Sequence, residues 1–99
     1  MKLQIQSIHF DVDAKLVDFI QKKLDKLEIF YDKITGAEVY LKLGKDDEKG
    51  NKIVNVKVNI PGNEIFVQEQ ADSFEEAVDT TYDILKRQLS RKKEKMSTR

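Results

Sequence analysis

Cysteine and tryptophan are absent from this 99-residue chain, and proline and histidine occur once each. Without cysteine, neither a disulfide nor a thiolate metal site can form. The four glycines, Gly36, Gly44, Gly50 and Gly62, stand apart from one another, so no glycine-rich phosphate cradle exists. No apolar run approaches the roughly 18 residues of a membrane span. Met1 to Phe10 alternates apolar and polar side chains where a signal peptide needs a continuous apolar core. A soluble cytoplasmic protein with no membrane partner is the simplest inference. The lone histidine, His9, falls at a strand end without a second histidine or cysteine and reads as structural. Asp46-Asp47-Glu48 lacks the ligand spacing and internal glycine of a calcium loop and reads as solvated charge. Carboxylates are plentiful, but none stands out as a general acid–base pair. The expectation is a protein that is not an enzyme and holds neither metal nor cofactor.

Net charge is missing too, with 18 basic residues against 18 acidic ones. That balance conceals a segregation. Residues 86–99 hold seven cations and one carboxylate, which leaves 11 against 17 in the remainder. This basic stretch ends a helix that begins with Ser73-Phe74-Glu75-Glu76, a serine cap three residues before a glutamate. Phe74, Ala77, Val78, Thr81, Leu85 and Leu89 recur at helical spacing. Acidic residues near the start (Asp72, Glu75, Glu76, Asp79, Asp83) and basic ones near the end suit the helix dipole, which needs only a few tenths of a charge at each end. Seven cations exceed that need, so a surface for a polyanion is favoured over helix stabilisation alone.

The length is that of one domain, residues 1–99, with a basic tail from about residue 91. Residues 2–8 alternate as a strand whose parity slips at Ser7, where it should end or bulge. Asp13 caps a helix running to about residues 27–30, with Leu16, Ile20, Leu24 and Leu27 on one face. Residues 38–43 and 52–60 alternate as strands. Pro61-Gly62-Asn63 turns the chain into a weaker strand over 64–70, in which Glu69 falls on the apolar face and should lie at the sheet end. The order β-α-β-β-β-α, with a right-handed first crossover, makes the first two strands parallel and the rest an antiparallel meander. The fold class is α+β: a two-layer sandwich of a four-stranded mixed sheet with both helices on one face. The other sheet face, with Gln4, Tyr40, Lys42, Asn55, Lys57, Asn59, Phe66 and Gln68, should be wet.

On the first helix Lys15, Lys22 and Lys26 form a stripe flanked by Lys23; taken alone, such a stripe is an ordinary solvated face. On the second, Arg87, Arg91 and Lys95 are four apart and form an outward ridge. Lying on the same layer, the two ridges should make one basic surface. Lysine and arginine on helical faces contact phosphates and supply affinity with little sequence information. The exposed sheet lacks the aromatic-rich pattern of an RRM.

Two stretches carry a resemblance. DAKLVDFIQKKLDKLEIFYDKI, from Asp13 to Ile34, contains Lys26-Leu27-Glu28 followed by Phe30-Tyr31-Asp32-Lys33-Ile34. FEEAVDTTYDILKRQLSRKKEK, from Phe74 to Lys95, contains Ala77-Val78-Asp79, Asp83, Leu85, Arg87-Gln88-Leu89 and the basic run. In order and spacing these resemble bacterial ribosome hibernation-promoting factors, also called ribosomal subunit interface proteins. The resemblance implies a translation inhibitor that binds the small ribosomal subunit near the decoding centre. There it would lie in the mRNA and tRNA channel of idle, stationary-phase or stressed ribosomes. It implies contact with 16S rRNA through Lys23, Lys26, Arg87, Arg91, Lys93 and Lys95; charge adds Lys22, Lys92 and Lys33. Ile84 stands where the family commonly has lysine, and Glu75 where it commonly has an aromatic. The chain resembles a short form, a monomer off the ribosome, without the dimerising domain of long forms.

The fold also resembles the double-stranded-RNA-binding domain. That family places lysines at the start of its last helix, where this chain has Asp72, Glu75 and Glu76. Generic structured-RNA binding therefore ranks lower. A protein-interaction module using Tyr40 and Phe66 on the exposed sheet is a further alternative.

Overall fold

A computed structural model describes residues 1–44 and 50–97, and for residues 93–97 the backbone alone. Strand β1 spans Leu3–Ser7, helix α1 Ala14–Asp25, strand β2 Gly36–Leu43, strand β3 Lys52–Ile60, strand β4 Asn63–Ala71 and helix α2 Phe74–Ser97. The last turn after α1 tightens to a 3₁₀ turn over Lys26–Ile29. Each helix starts at a side-chain cap that meets an otherwise unpaired amide. Asp13 Oδ1 accepts from the Lys15 amide at 3.3 Å, and Ser73 Oγ accepts from the Glu76 amide at 3.1 Å. Asp46-Asp47-Glu48 lies outside the described residues.

β1 stops at Ser7, where the alternation slips. The Ile8 amide still donates to the Leu41 carbonyl at 2.9 Å. His9 then enters the left-handed region at φ 67°, uncommon for a residue with a side chain, and the chain leaves the sheet. The β3–β4 hairpin closes on Pro61-Gly62 between the paired residues Ile60 and Asn63. Proline presets the first turn residue, and Gly62 adopts φ 73° at the second, the pattern of a type II turn.

The sheet order is β1-β2-β3-β4, with β1 and β2 parallel and the other pairs antiparallel. Register places Leu3, Ala37, Val58 and Ile65 in one cross-strand row, and Ile5, Val39, Val56 and Val67 in the next inward-facing row. These rows form one core with Ile20, Leu24 and Leu27 and with Phe74, Ala77, Val78, Leu85 and Leu89. Both helices therefore cover the same face. Thr81, also wholly buried, satisfies its hydroxyl by donating to the Ala77 carbonyl at 2.7 Å. Glu69 shares the inward parity but sits on the edge strand, partly exposed. On the opposite face Lys57 Nζ is 3.1 Å from Glu38 Oε2 and 3.9 Å from Glu64 Oε2. Its pKa is raised, first by the hydrogen bond to Glu38.

Candidate nucleic-acid interface

The two helices run in the same direction. Lys23 on α1 reaches Asp79 and Tyr82 on α2, and Phe30, at the end of the 3₁₀ turn, reaches Lys86 one turn further along α2. The basic end of α2 is thus brought beside the end of α1, and the acidic start of α2 lies behind. Cations from two separate parts of the chain meet at one pole of the helical layer.

On α1 the expected stripe is present. Lys15, Lys22, Lys23 and Lys26 line a single open depression with Asp18 and Phe19. Their electrostatic states differ. Lys22 Nζ is 3.0 Å from Asp18 Oδ2, one turn away, and both side chains are well exposed; such a pair is worth only about 0.3–0.5 kcal/mol. The side chain of Lys23 is 27% exposed, with Nζ 3.1 Å from Asp79 Oδ1 and 4.9 Å from the Tyr82 ring centroid. Lys26 is exposed and, among the described residues, has no carboxylate within ion-pair distance.

On α2, Leu85 and Leu89 face the core while Asp79, Tyr82 and Lys86 occupy the flank toward α1. At about 100° per residue, Arg87 lies one step past Lys86, toward solvent, and Arg91 lies further round the flank turned from α1. Both are exposed. Arg87 Nε donates at 3.4 Å to the Asp83 carbonyl, a long contact that leaves its charge available. Lys92 follows Leu89 by three residues and Leu85 by seven, on the core-facing row, and is only partly exposed. It does not stand with the arginines. The side chains of Lys93 and Lys95 lie outside the described residues, and Lys33 is exposed ahead of β2.

The pole therefore has two ridges and a seam. The α1 ridge carries Lys22 and Lys26 at the pole, with Lys15 about 16 Å back at the start of the helix, and the α2 ridge carries Arg87 and Arg91. The seam between them holds Lys23, Asp79, Tyr82, Lys86 and Phe30. Sequence reasoning gave Phe30 only as part of a motif, passed over Tyr82 and did not single out Lys86. The available signal was the four-residue spacing of Tyr82 and Lys86 on a row adjoining the core positions. Among the described residues, no group of acidic residues and histidine could hold a metal ion, and no helix is long and apolar enough to cross a membrane.

Residues 3–97 match the family model described as sigma 54 modulation protein / S30EA ribosomal protein. The chain belongs to this family. A curated S30EA relative, the ribosome hibernation promoting factor of Pseudomonas putida, is 33% identical over 98 residues, 99% of this chain and 92% of the relative. A solved ribosomal subunit interface protein from Coxiella burnetii superposes with a TM-score of 0.82 at 28% identity, covering 94% of this chain and 98% of that one. The N-terminal domain of Thermus thermophilus Protein Y superposes at 0.79 with 25% identity, covering 92% and 98%. The S30EA fold is the β-α-β-β-β-α sandwich described above, and the family is the one that the motifs at Asp13–Ile34 and Phe74–Lys95 resemble.

Proposed function

We propose that this S30EA family member is a ribosome hibernation factor. It binds the small ribosomal subunit, contacts 16S rRNA near the decoding centre, and occupies the channel of mRNA and tRNA so that idle ribosomes stay out of translation. The observation that carries the reading is the likeness, over 99% of this chain and 92% of the relative, to a ribosome hibernation promoting factor. The charge layout supports it physically. Lys26, Lys86, Arg87 and Arg91 are exposed at one pole and, among the described residues, none has a carboxylate within ion-pair distance. Phosphates are the natural ligands of such cations, and they supply affinity and register without base readout. The sheet face is less suited to RNA, because Lys57 is already held by Glu38 and Glu64.

The test is sedimentation of a stationary-phase lysate through a sucrose gradient, followed by tRNA competition on purified small subunits. The protein should travel with ribosomal particles, and bound protein and tRNA should exclude one another. Recovery only at the top of the gradient, or simultaneous saturation by both ligands, would overturn the reading.

A further inference from the structure

We propose that Lys86 is a phosphate ligand at the α1–α2 seam, held in place by the Phe30 ring, and that Lys23 is a positioning residue that joins the helices without touching RNA. The inference rests on the ribosomal reading above and assigns roles within that site. Two lysines lie against aromatic rings along the seam, Lys23 over Tyr82 at 4.9 Å and Lys86 over Phe30 at 5.2 Å. Among the described residues only the first is also neutralised, by Asp79 at 3.1 Å. An ion pair cancels the charge that a phosphate would seek, and its separation would have to be offset on docking. A ring face attracts a cation without cancelling it. Phe30 therefore narrows the positions open to Lys86 while leaving its charge unspent, which reduces the ordering cost of binding.

Lys26 stands on the α1 ridge beside the seam. It lies three residues from Lys23 and lines the same depression, while Lys86 lies one turn beyond Tyr82 on α2. Of these lysines only Lys23 has a carboxylate within ion-pair distance among the described residues, Asp79. Lys23 has a different consequence. Its pairing with Asp79 and Tyr82 ties the middle of α1 to α2 across the layer, which sets where Lys86, Arg87 and Arg91 stand relative to Lys26.

The experiment is binding of purified small subunits across a salt series for wild type, Lys86→Gln, Lys23→Gln, Lys23→Asp and the swap Lys23→Asp with Asp79→Lys, each with its thermal midpoint. Losing one phosphate contact should make the log–log salt slope shallower by about one. The expected result is that shallower slope for Lys86→Gln at an unchanged midpoint. Lys23→Gln should weaken binding severalfold with the wild-type slope and a lowered midpoint. The swap should recover the affinity that Lys23→Asp alone loses. An unchanged slope for Lys86→Gln, a slope shallower by one for Lys23→Gln, or a swap no better than Lys23→Asp would each overturn the assignment while leaving ribosome binding in place. Failure of the wild-type protein to bind at the lowest salt would overturn the ribosomal reading, and this inference with it.

Discussion

Replacing Arg87 and Arg91 together by glutamine tests whether exposed cations at the basic pole drive binding. Six cations are candidates for direct phosphate contact at the pole once ion-paired Lys22 and Lys23, half-buried Lys92, and Lys33, which lies on neither helix, are set aside: Lys26, Lys86, Arg87, Arg91, Lys93 and Lys95. Each engaged phosphate contributes roughly −0.9 to the log–log salt slope on duplex DNA, so six predict a slope of about −5. A fourfold rise in salt would then weaken wild-type binding about 10³-fold. The double variant keeps four contacts, a slope of about −3.6, and a loss of only about 150-fold over the same interval. Folding should be nearly untouched. Both side chains are exposed, and Arg87 would lose only a 3.4 Å contact to the Asp83 carbonyl. A stability change within about 0.5 kcal/mol is expected. The assay is equilibrium cosedimentation with purified small subunits at constant magnesium, beside a thermal melt. A double variant with the wild-type slope and a wild-type melt would refute the reasoning, because two intact arginines would then have contributed nothing to counterion release.

Leu85→Ala should cost about 2–5 kcal/mol in chemical denaturation, because Leu85 is wholly buried between α2 and the sheet; a loss below 0.5 kcal/mol would contradict that packing. Ser73→Ala should cost about 1 kcal/mol by freeing the Glu76 amide from its 3.1 Å bond, while Ser73→Asp should retain most of the stability. The Met1 amino group bonds Glu28 at 2.8 Å and Asp25 at 3.3 Å, and its pKa is raised, first by Glu28. Protons therefore bind more tightly in the folded state. The stabilisation is fully present below the unfolded amine pKa of about 8 and disappears as pH rises through the raised folded value. Between about pH 7 and pH 10 the melting temperature should fall further for wild type than for Asp25→Asn with Glu28→Gln, and equal falls would contradict the linkage.

Much of the fold was legible because local pattern and tertiary environment agree. β3 occupies 52–60 as its strict Val54-Val56-Val58-Ile60 alternation demands, and the parity slip at Ser7 marks the end of β1. β2 begins two residues earlier than the alternation from Glu38 indicates. The cause is a pairing partner distant in sequence, the Lys2 carbonyl, which accepts from the Ala37 amide at 2.9 Å. α1 was expected to continue to residues 27–30, and it does so only by tightening into the 3₁₀ turn. The candidate site was legible as a list of cations and less so as an arrangement. The wheel positions of Lys22, Lys23 and Lys26 follow from local spacing, but the carboxylate facing Lys23 comes from Asp79 on another helix. No local rule links positions so far apart. Lys92 was nominated for its charge, although the row it shares with Leu85 and Leu89 already argued for partial burial.

α2 continues to Ser97, whereas among the described residues its last buried side chain is Leu89. The helix backbone therefore runs on for eight residues, about 12 Å, past its last wholly buried position, in a molecule whose principal extents are 49 × 22 × 20 Å. A bare helix with its side chains is only about 10–12 Å across. An end of that width would fit a crevice too narrow for the sandwich. Ending the chain after Leu89 should leave the sandwich folded and, on the ribosomal reading, weaken its binding to small subunits.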